Sequence, residues 1–326
     1  MKKGIVVLLL LTLLLTFAAS YGNQESIVVC YSMEQFRGEE MQKQLTERFP
    51  DKNIIVTYMP TGKAAAKVLA EGEETEIDIL VELETGYLNK IKDNMADISG
   101  ISRIPYLPQF TEDKNHNKWV TWDKQAGAIV VNTDVLQKYD LPMPETYEDL
   151  LNPCYQDLIA MPDPKSSGTG YFFFKSWVNT WGDEKALAYV DALHDNLKIF
   201  TESGSGPIKM LKQGEVAIGL ALTFQAVDEK NDGQPFEIIF PPEGSPFSLT
   251  GTSLLKGREE NQEILEVFDF IIHDFLIYDK EYFCPEKIYE DQINRIPNYP
   301  TDIPYADMQG IQDDHEKERL LKLWKY

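Results

Sequence analysis

From Ser26 onward, short apolar runs alternate with longer segments whose apolar positions recur every three to four residues. SIVVCY is followed by an amphipathic stretch near Met33 to Phe49, then NIIVTY, then Ala64 to Glu71, then IDILVEL. Runs of five or six apolar, β-branched residues predict strands and the 3.6-residue period predicts helices, so the order is βαβαβ. Such alternation calls for a mostly parallel sheet flanked by helices, with ligand sites beyond the carboxyl ends of its strands. The pattern changes at KWVTWDKQAGAIVVNTDVL. One extended run, Trp119 to Trp122, precedes another, Ala128 to Val131, and the segment Trp119 to Gly127 between halves predicts a hinge. A second series follows: DLIAMPDP, a helix from about Gly168, another over Asp183 to His194, LKIF, a short helix near Pro207, VAIGLAL and FEIIFPP. Near Pro241 to Thr250 the chain is expected to return to the first half through the strand SLTGTSLLK. The closing segment DDHEKERLLKLWKY predicts an amphipathic helix with Leu320, Leu321 and Trp324 inward.

The organisation that follows is an α/β chain of two lobes, each a mostly parallel sheet flanked by helices, joined by a two-crossover hinge. Residues 1–20 form a signal peptide, residues 21–122 and 245–326 lobe I, and residues 123–244 lobe II. The leader rests on Lys2 and Lys3 before the apolar run Ile5 to Leu15 and the small residues Ala18, Ala19 and Ser20. That run is shorter than a comfortable membrane span, so a soluble protein outside the cytoplasm, periplasmic in a cell with two membranes, is expected.

Composition narrows the chemistry. With 53 acidic and 31 basic side chains the net charge is −22, which excludes nucleic acid as a partner but not an anion held by backbone donors. Three cysteines, Cys30, Cys154 and Cys284, lack zinc-site spacing and allow at most one disulfide; small buried apolar positions are the simpler reading. The four histidines, His116, His194, His273 and His315, show no metal-ligand spacing, and nucleophile-elbow, phosphate-loop and dinucleotide motifs are missing. Neither an enzyme, a metal site nor a cofactor is expected.

The sharpest local feature is MPDPKSSGTGYFFFKSW, where a strand ends at prolines and small hydroxyl and glycine residues open a helix. Ser166, Ser167, Gly168 and Thr169 can offer hydroxyls and free amide N–H groups at the positive end of a helix, a setting for a phosphate, phosphonate or carboxylate. Plain N-capping by Ser166 or Ser167 is the alternative. FTESGSGPIKMLKQGE repeats the chemistry with Ser203, Gly204, Ser205 and Pro207, and the two segments either converge on one anion or cap separate helices. In the first half, Ser32 follows strand one, Thr61, Gly62 and Lys63 follow strand two, and Glu82 and Glu84 follow strand three. Lys63 is the candidate cation, and Glu82 the candidate acceptor for an amine or hydroxyl.

Taken in order, SIVVCYS, DILVELETGYLNKI, GAIVVNTDVL, MPDPKSSGTGY, FTESGSGPIKMLKQGEVAIGLAL, FPPEGSPFSLTGTSLLKG and ERLLKLW resemble the bacterial extracellular solute-binding proteins of the type II periplasmic-binding fold. The likeness is to the branch of iron(III), phosphonate and hexose-phosphate binders. It implies ligand-driven closure of a cleft, delivery to an ABC-type permease in the inner membrane, and a monomeric carrier. It also implies a cleft lined by Tyr31, Ser32, Thr61 to Lys63, Glu82, Ser166 to Thr169, Ser203 to Ser205 and Thr223, with Trp122 stacking on the ligand from the hinge. Iron-binding relatives carry two adjacent tyrosines late in the chain; Thr223, Phe224 and Gln225 stand there instead. The expected ligand is therefore a small anion, a phosphonate such as 2-aminoethylphosphonate or a sugar phosphate. Ferric ion, a polyamine or thiamine, and a sensing role for a receptor kinase, are the alternatives.

Overall fold

A computed structural model describes residues 26–111 and 117–326 of the chain. The expected signal peptide, and His116, lie outside the described residues. Among the described residues nine strands form the backbone of the fold: β1 (Ile27–Tyr31), β2 (Ile54–Tyr58), β3 (Ile79–Glu84), β4 (Val120–Asn132), β5 (Ile159–Pro162), β6 (Leu197–Thr201), β7 (Ile218–Leu222), β8 (Phe236–Ile239) and β9 (Phe247–Leu254). They run in the order β2-β1-β3-β9-β4-β7-β5-β6, with β8 paired to β4 off this path. The pairs β1–β2, β1–β3, β5–β6 and β5–β7 are parallel, as the alternating pattern requires. Where β4 and β9 cross between the halves, pairing is antiparallel.

The region from Trp119 to Val131, expected as two extended runs with a hinge over Trp119 to Gly127, instead falls, from Val120 on, within one 13-residue strand, Val120–Asn132. Its first part, Val120 to Ala126, pairs with β9, and Gly127 to Val131 pairs with β7, so one strand serves both halves of the sheet. The return of the chain lies beside it: Gly127 donates its amide to Pro246 O (2.8 Å) and accepts the Ser245 hydroxyl (2.6 Å). A third passage joins the two expected crossings. Ala306 N donates to Ser245 O (2.9 Å), and the Lys124 ammonium lies 3.0 Å from the centre of the Tyr305 ring. Burial lowers that ammonium to about 8.

Apolar side chains fill both faces of each half. In the first half Val29, Ile79, Val81, Trp122, Leu254, Phe268 and Phe275 form one cluster, and Cys30, Ala64, Val68, Leu80 and Leu88 another on the opposite face. In the second, Phe173, Trp177, Ile218 and Leu220 lie in one cluster that also takes in Tyr299, Ile303, Leu320 and Trp324. The end of the 245–326 segment, expected with the first lobe, thus packs against the second. Its terminal helix, Asp314–Leu323, turns Leu320 inward, and Trp324 meets the Phe174 ring at 5.0 Å. The three cysteines are free; Cys30 and Cys284 are buried, but Cys154, expected inside, is exposed. Among the described residues no helix is long and apolar enough to cross a membrane.

Candidate functional site

Between the halves lies a cavity of about 1140 Å³. Its walls come from the carboxyl ends of β1, β3, β5, β6 and β7, the place where an open α/β sheet leaves its loops free to bind. On the first half Tyr31, Ser32, Thr61, Gly62 and Glu82 line it, and on the second Ser166, Ser167, Gly168, Thr169, Ser203, Gly204 and Ser205 do. The Tyr31 ring lies against the helix Gln35–Arg48 where Gly38 leaves room, because a Cβ at Gly38 would fall 2.1 Å from the ring. Ser32 Oγ donates to Met59 O (2.8 Å), fixing the first loop to the second.

The two hydroxyl-rich segments meet because the strands that feed them, β5 and β6, are parallel neighbours. Asp163 N donates to Thr201 O (2.8 Å) and Ser166 Oγ to Glu202 O (2.9 Å), tying loop to loop. A Cβ on Gly204 would sit 2.3 Å from Thr169 Oγ1, so the glycine allows a contact that no other residue would. The helix Gly168–Trp181 begins here, with Ser167 as its N-cap and Tyr171 N making the first helical bond, to Ser167 O (3.0 Å). The amides of Gly168 and Thr169 precede that bond and have no acceptor within the helix. Ser203 Oγ and Ser205 Oγ stand 3.2 Å apart alongside.

Three expected site residues fall elsewhere. Trp122 is fully buried and stacks on Phe275 (5.9 Å between ring centres); a register shift between Thr121 and Asp123 accompanies its placement in the first-half core. Lys63 is exposed and outside the cavity wall, since its helix turns Ala64, Ala65 and Val68 inward and leaves Lys63 on the solvent flank. Thr223 is fully buried; on its helix, Thr223–Asn231, the cavity face is Gln225, Asp228 and Glu229, which share a side at spacings of three and four.

Beneath the cavity is a polar cluster in which the expected Glu82 is joined by residues not singled out from the sequence, Arg37, Asp123, Asp279 and Lys280. Arg37, fully buried, forms a two-pronged pair with Asp279 (both contacts 2.8 Å) and bonds Glu82 Oε1 (2.8 Å) and Glu34 Oε2 (2.9 Å). Lys280 reaches Asp123 (2.9 Å) and Asp279 (3.2 Å). Burial would raise the Asp279 carboxyl, but Arg37 and Lys280 together hold it below its ordinary range. Burial wins at Glu82, whose carboxyl is raised well above the usual value against the pull of Arg37. Glu82 also has φ 58° at an irregular step of β3, a strained conformation for a side chain other than glycine, which sets the carboxylate beneath the cleft. Gln125 Nε2 adds a second bond to Glu82 Oε1 (2.8 Å), and Gln225 Nε2 reaches across the cleft to Glu34 Oε1 (3.1 Å). Glu34, Gln125 and Gln225 all line the cavity, as do Phe36, Glu39, Tyr58, Glu84, Tyr87, Glu202 and Lys209.

Asp123, Cys284 and Glu286 bring three possible metal ligands within 4.8 Å of one another, but the Lys280 ammonium already occupies Asp123 and the Tyr299 hydroxyl bonds Glu286. Burial, helped by Asp123, raises Glu286 to about 7 and keeps the Cys284 thiol protonated, so this donor set suits protons better than a cation.

The chain is similar to known binding proteins. The structure of the periplasmic binding protein AfuA from Actinobacillus pleuropneumoniae, with exogenous fructose-6-phosphate bound, superposes with a TM-score of 0.80 at 22% identity, covering 93% of this chain and 98% of that one. The fold is thus the type II periplasmic-binding fold. A spermidine/putrescine-binding periplasmic protein of Salmonella typhimurium is 20% identical over 273 residues, 80% of this chain and 76% of that relative. An uncharacterized protein of Haemophilus influenzae is 34% identical over 128 residues, 39% of this chain; the match spans only 37% of that relative's length. The bacterial extracellular solute-binding protein family matches residues 78–276, well over half of the sequence, and the chain belongs to that family.

Proposed function

We propose that this protein captures a small phosphorylated or phosphonylated compound outside the cytoplasm and delivers it to an ABC-type permease. The observation that carries the reading is the junction of the Gly168–Trp181 helix start with the Ser203–Ser205 loop at the cavity wall. Two free amides at the positive end of a 14-residue helix, next to the hydroxyls of Ser203 and Ser205, supply several donors to one anionic group without an arginine. Across the cavity Glu34, Glu82, Gln125 and Gln225 offer acceptors and amide donors for the rest of the ligand, its hydroxyls or an amine. The single strand common to both halves, with its two neighbouring passages, leaves a narrow connection about which the cleft can close.

One specific feature favours a second reading, a polyamine. Carboxylates Glu34, Glu39, Glu82, Glu84, Glu202, Asp228 and Glu229 line the cavity beside the rings of Tyr31, Phe36, Tyr58 and Tyr87, a surface suited to ammonium groups. A thermal-shift panel separates the two. Fructose 6-phosphate, glucose 6-phosphate, 2-aminoethylphosphonate, spermidine, putrescine and ferric ion are each added at high concentration. A ligand at about 100 times its dissociation constant stabilises by roughly 2.7 kcal/mol, a readily measured rise in melting temperature. The proposal expects the rise from a phosphoryl or phosphonyl compound; a rise from spermidine or putrescine alone replaces it with the polyamine reading.

A further inference from the structure

The anion site proposed above has a difficulty in its own wall. Glu84 lines the cavity next to the helix start: a Cβ on Gly168 would lie 3.8 Å from Glu84 Cγ. A bare carboxylate at that place would repel a phosphoryl group through a water-poor wall. Glu84 is not bare. Lys317 Nζ stands 3.1 Å from Glu84 Oε2, while Glu84 Oε1 accepts from Gly86 N (3.0 Å) and Ser248 Oγ (3.4 Å). The ammonium is held over the rings of Tyr87 (4.0 Å) and Tyr171 (4.8 Å), and Lys317 as a residue is only 8% exposed. Tyr171 belongs to the first turn of the same helix that begins at Gly168.

Lys317 arrives from the C-terminal helix, Asp314–Leu323. That helix is fastened to the second half by Lys175–Glu316 (3.0 Å), Arg319–Asp183 and the packing of Trp324, and to the first half by Lys317 itself and Asn89 Nδ2 to Gln312 O (3.4 Å). Lys317 stands behind Glu84, not in the cavity wall; the lysine that does line the cavity, Lys209, is exposed to solvent, where its field is screened. We infer that Lys317 is the positioning charge of the anion site: it cancels Glu84 beside the Ser166–Thr169 segment, so the C-terminal helix is part of the binding apparatus. This inference rests on the phosphoryl reading of the cavity.

The test is calorimetric titration of the full chain with fructose 6-phosphate, or with 2-aminoethylphosphonate if the sugar phosphate does not bind, alongside the unphosphorylated parent compound. Lys317→Met uncovers the Glu84 charge and is expected to weaken the phosphorylated ligand about tenfold or more, the scale of a unit charge a few ångströms away in a partly buried site. Lys317→Arg restores a positive charge and recovers most of the affinity. The double variant Lys317→Met with Glu84→Gln removes both charges and also recovers affinity, an outcome that loss of a merely structural lysine does not produce. Melting of each ligand-free variant checks folding. Wild-type protein that binds the phosphorylated ligand as tightly as the Lys317→Met variant does, or a double variant no better than Lys317→Met, overturns the inference and leaves the anion site standing. Wild-type protein that binds neither compound overturns both.

Discussion

Replacing Gly204 by alanine tests whether the two hydroxyl-rich segments act on one ligand. The added Cβ would fall 2.3 Å from Thr169 Oγ1 and 3.0 Å from Thr169 Cβ, so relief requires the 203–205 loop and the 166–169 segment to part by about an ångström. Overpacking on that scale costs the fold about 1–3 kcal/mol. The same displacement takes donors on one segment out of reach of an anion still held by the other. Each hydrogen bond to a charged group is worth about 1.5–3 kcal/mol, so losing one weakens the ligand by about 10- to 100-fold. Calorimetric titration with fructose 6-phosphate or 2-aminoethylphosphonate, whichever the wild-type protein binds, gives the affinity, and circular dichroism melting gives the stability. Gly100→Ala is the control, since a Cβ there meets nothing within 4 Å. If Gly204→Ala is folded and binds within twofold of the wild-type protein, the two segments do not share a ligand.

Glu286 ionises with difficulty because it is buried, and its folded value of about 7 lies above that of an unfolded glutamate. The native state therefore holds an extra proton between about pH 4.5 and 7, and the stability from this group, full below that window, falls as pH rises through it, by roughly 3 kcal/mol at most. Glu286→Gln keeps an acceptor for the Tyr299 hydroxyl and should flatten this part of the pH–stability curve measured by urea unfolding; an unchanged slope contradicts the assignment. Arg37→Met leaves Glu82 buried without its cation and Asp279 with Lys280 alone, and should cost about 3–5 kcal/mol, with Arg37→Lys recovering little because one ammonium cannot reproduce the paired contact. A loss under 1 kcal/mol for the methionine variant would show that the cluster is not held together by Arg37.

Much of the architecture was legible because local pattern and tertiary role agree. The parallel strands Ile27–Tyr31, Ile54–Tyr58 and Ile159–Pro162 are compact apolar runs, and Asp183–His194 begins and ends where its periodicity does. The Ser166–Thr169 and Ser203–Ser205 segments were legible as chemistry, since strand, small polar residues and helix follow within a few positions. What long-range contact decides was not. Arg37 lies in the stretch Met33 to Phe49, read only as an amphipathic helix, and its burial depends on partners far along the chain, among them Asp279, 242 positions away. Lys63, next to a strand end, looked like the site's cation, while Lys317 reaches Glu84 across 233 positions. A hinge was expected at Trp122 because polar residues such as Lys124 and Gln125 interrupt the apolar run, and the family resemblance implied that Trp122 stacks on the ligand. Those polar residues are accommodated within a continuous strand, Lys124 over the Tyr305 ring and Gln125 on Glu82, leaving Trp122 to the core.

In the proposed function a negatively charged group is held between the start of the Gly168–Trp181 helix and the loop Ser203–Ser205. A crystal structure of the protein saturated with the phosphoryl or phosphonyl compound that stabilises it tests this most directly. The phosphorus oxygens should lie within hydrogen-bonding distance, about 2.7–3.2 Å, of the Gly168 and Thr169 amides and the Ser203 or Ser205 hydroxyl. A ligand whose phosphorus group lies among Glu34, Glu82 and Gln225 instead, or outside the cavity, would contradict it.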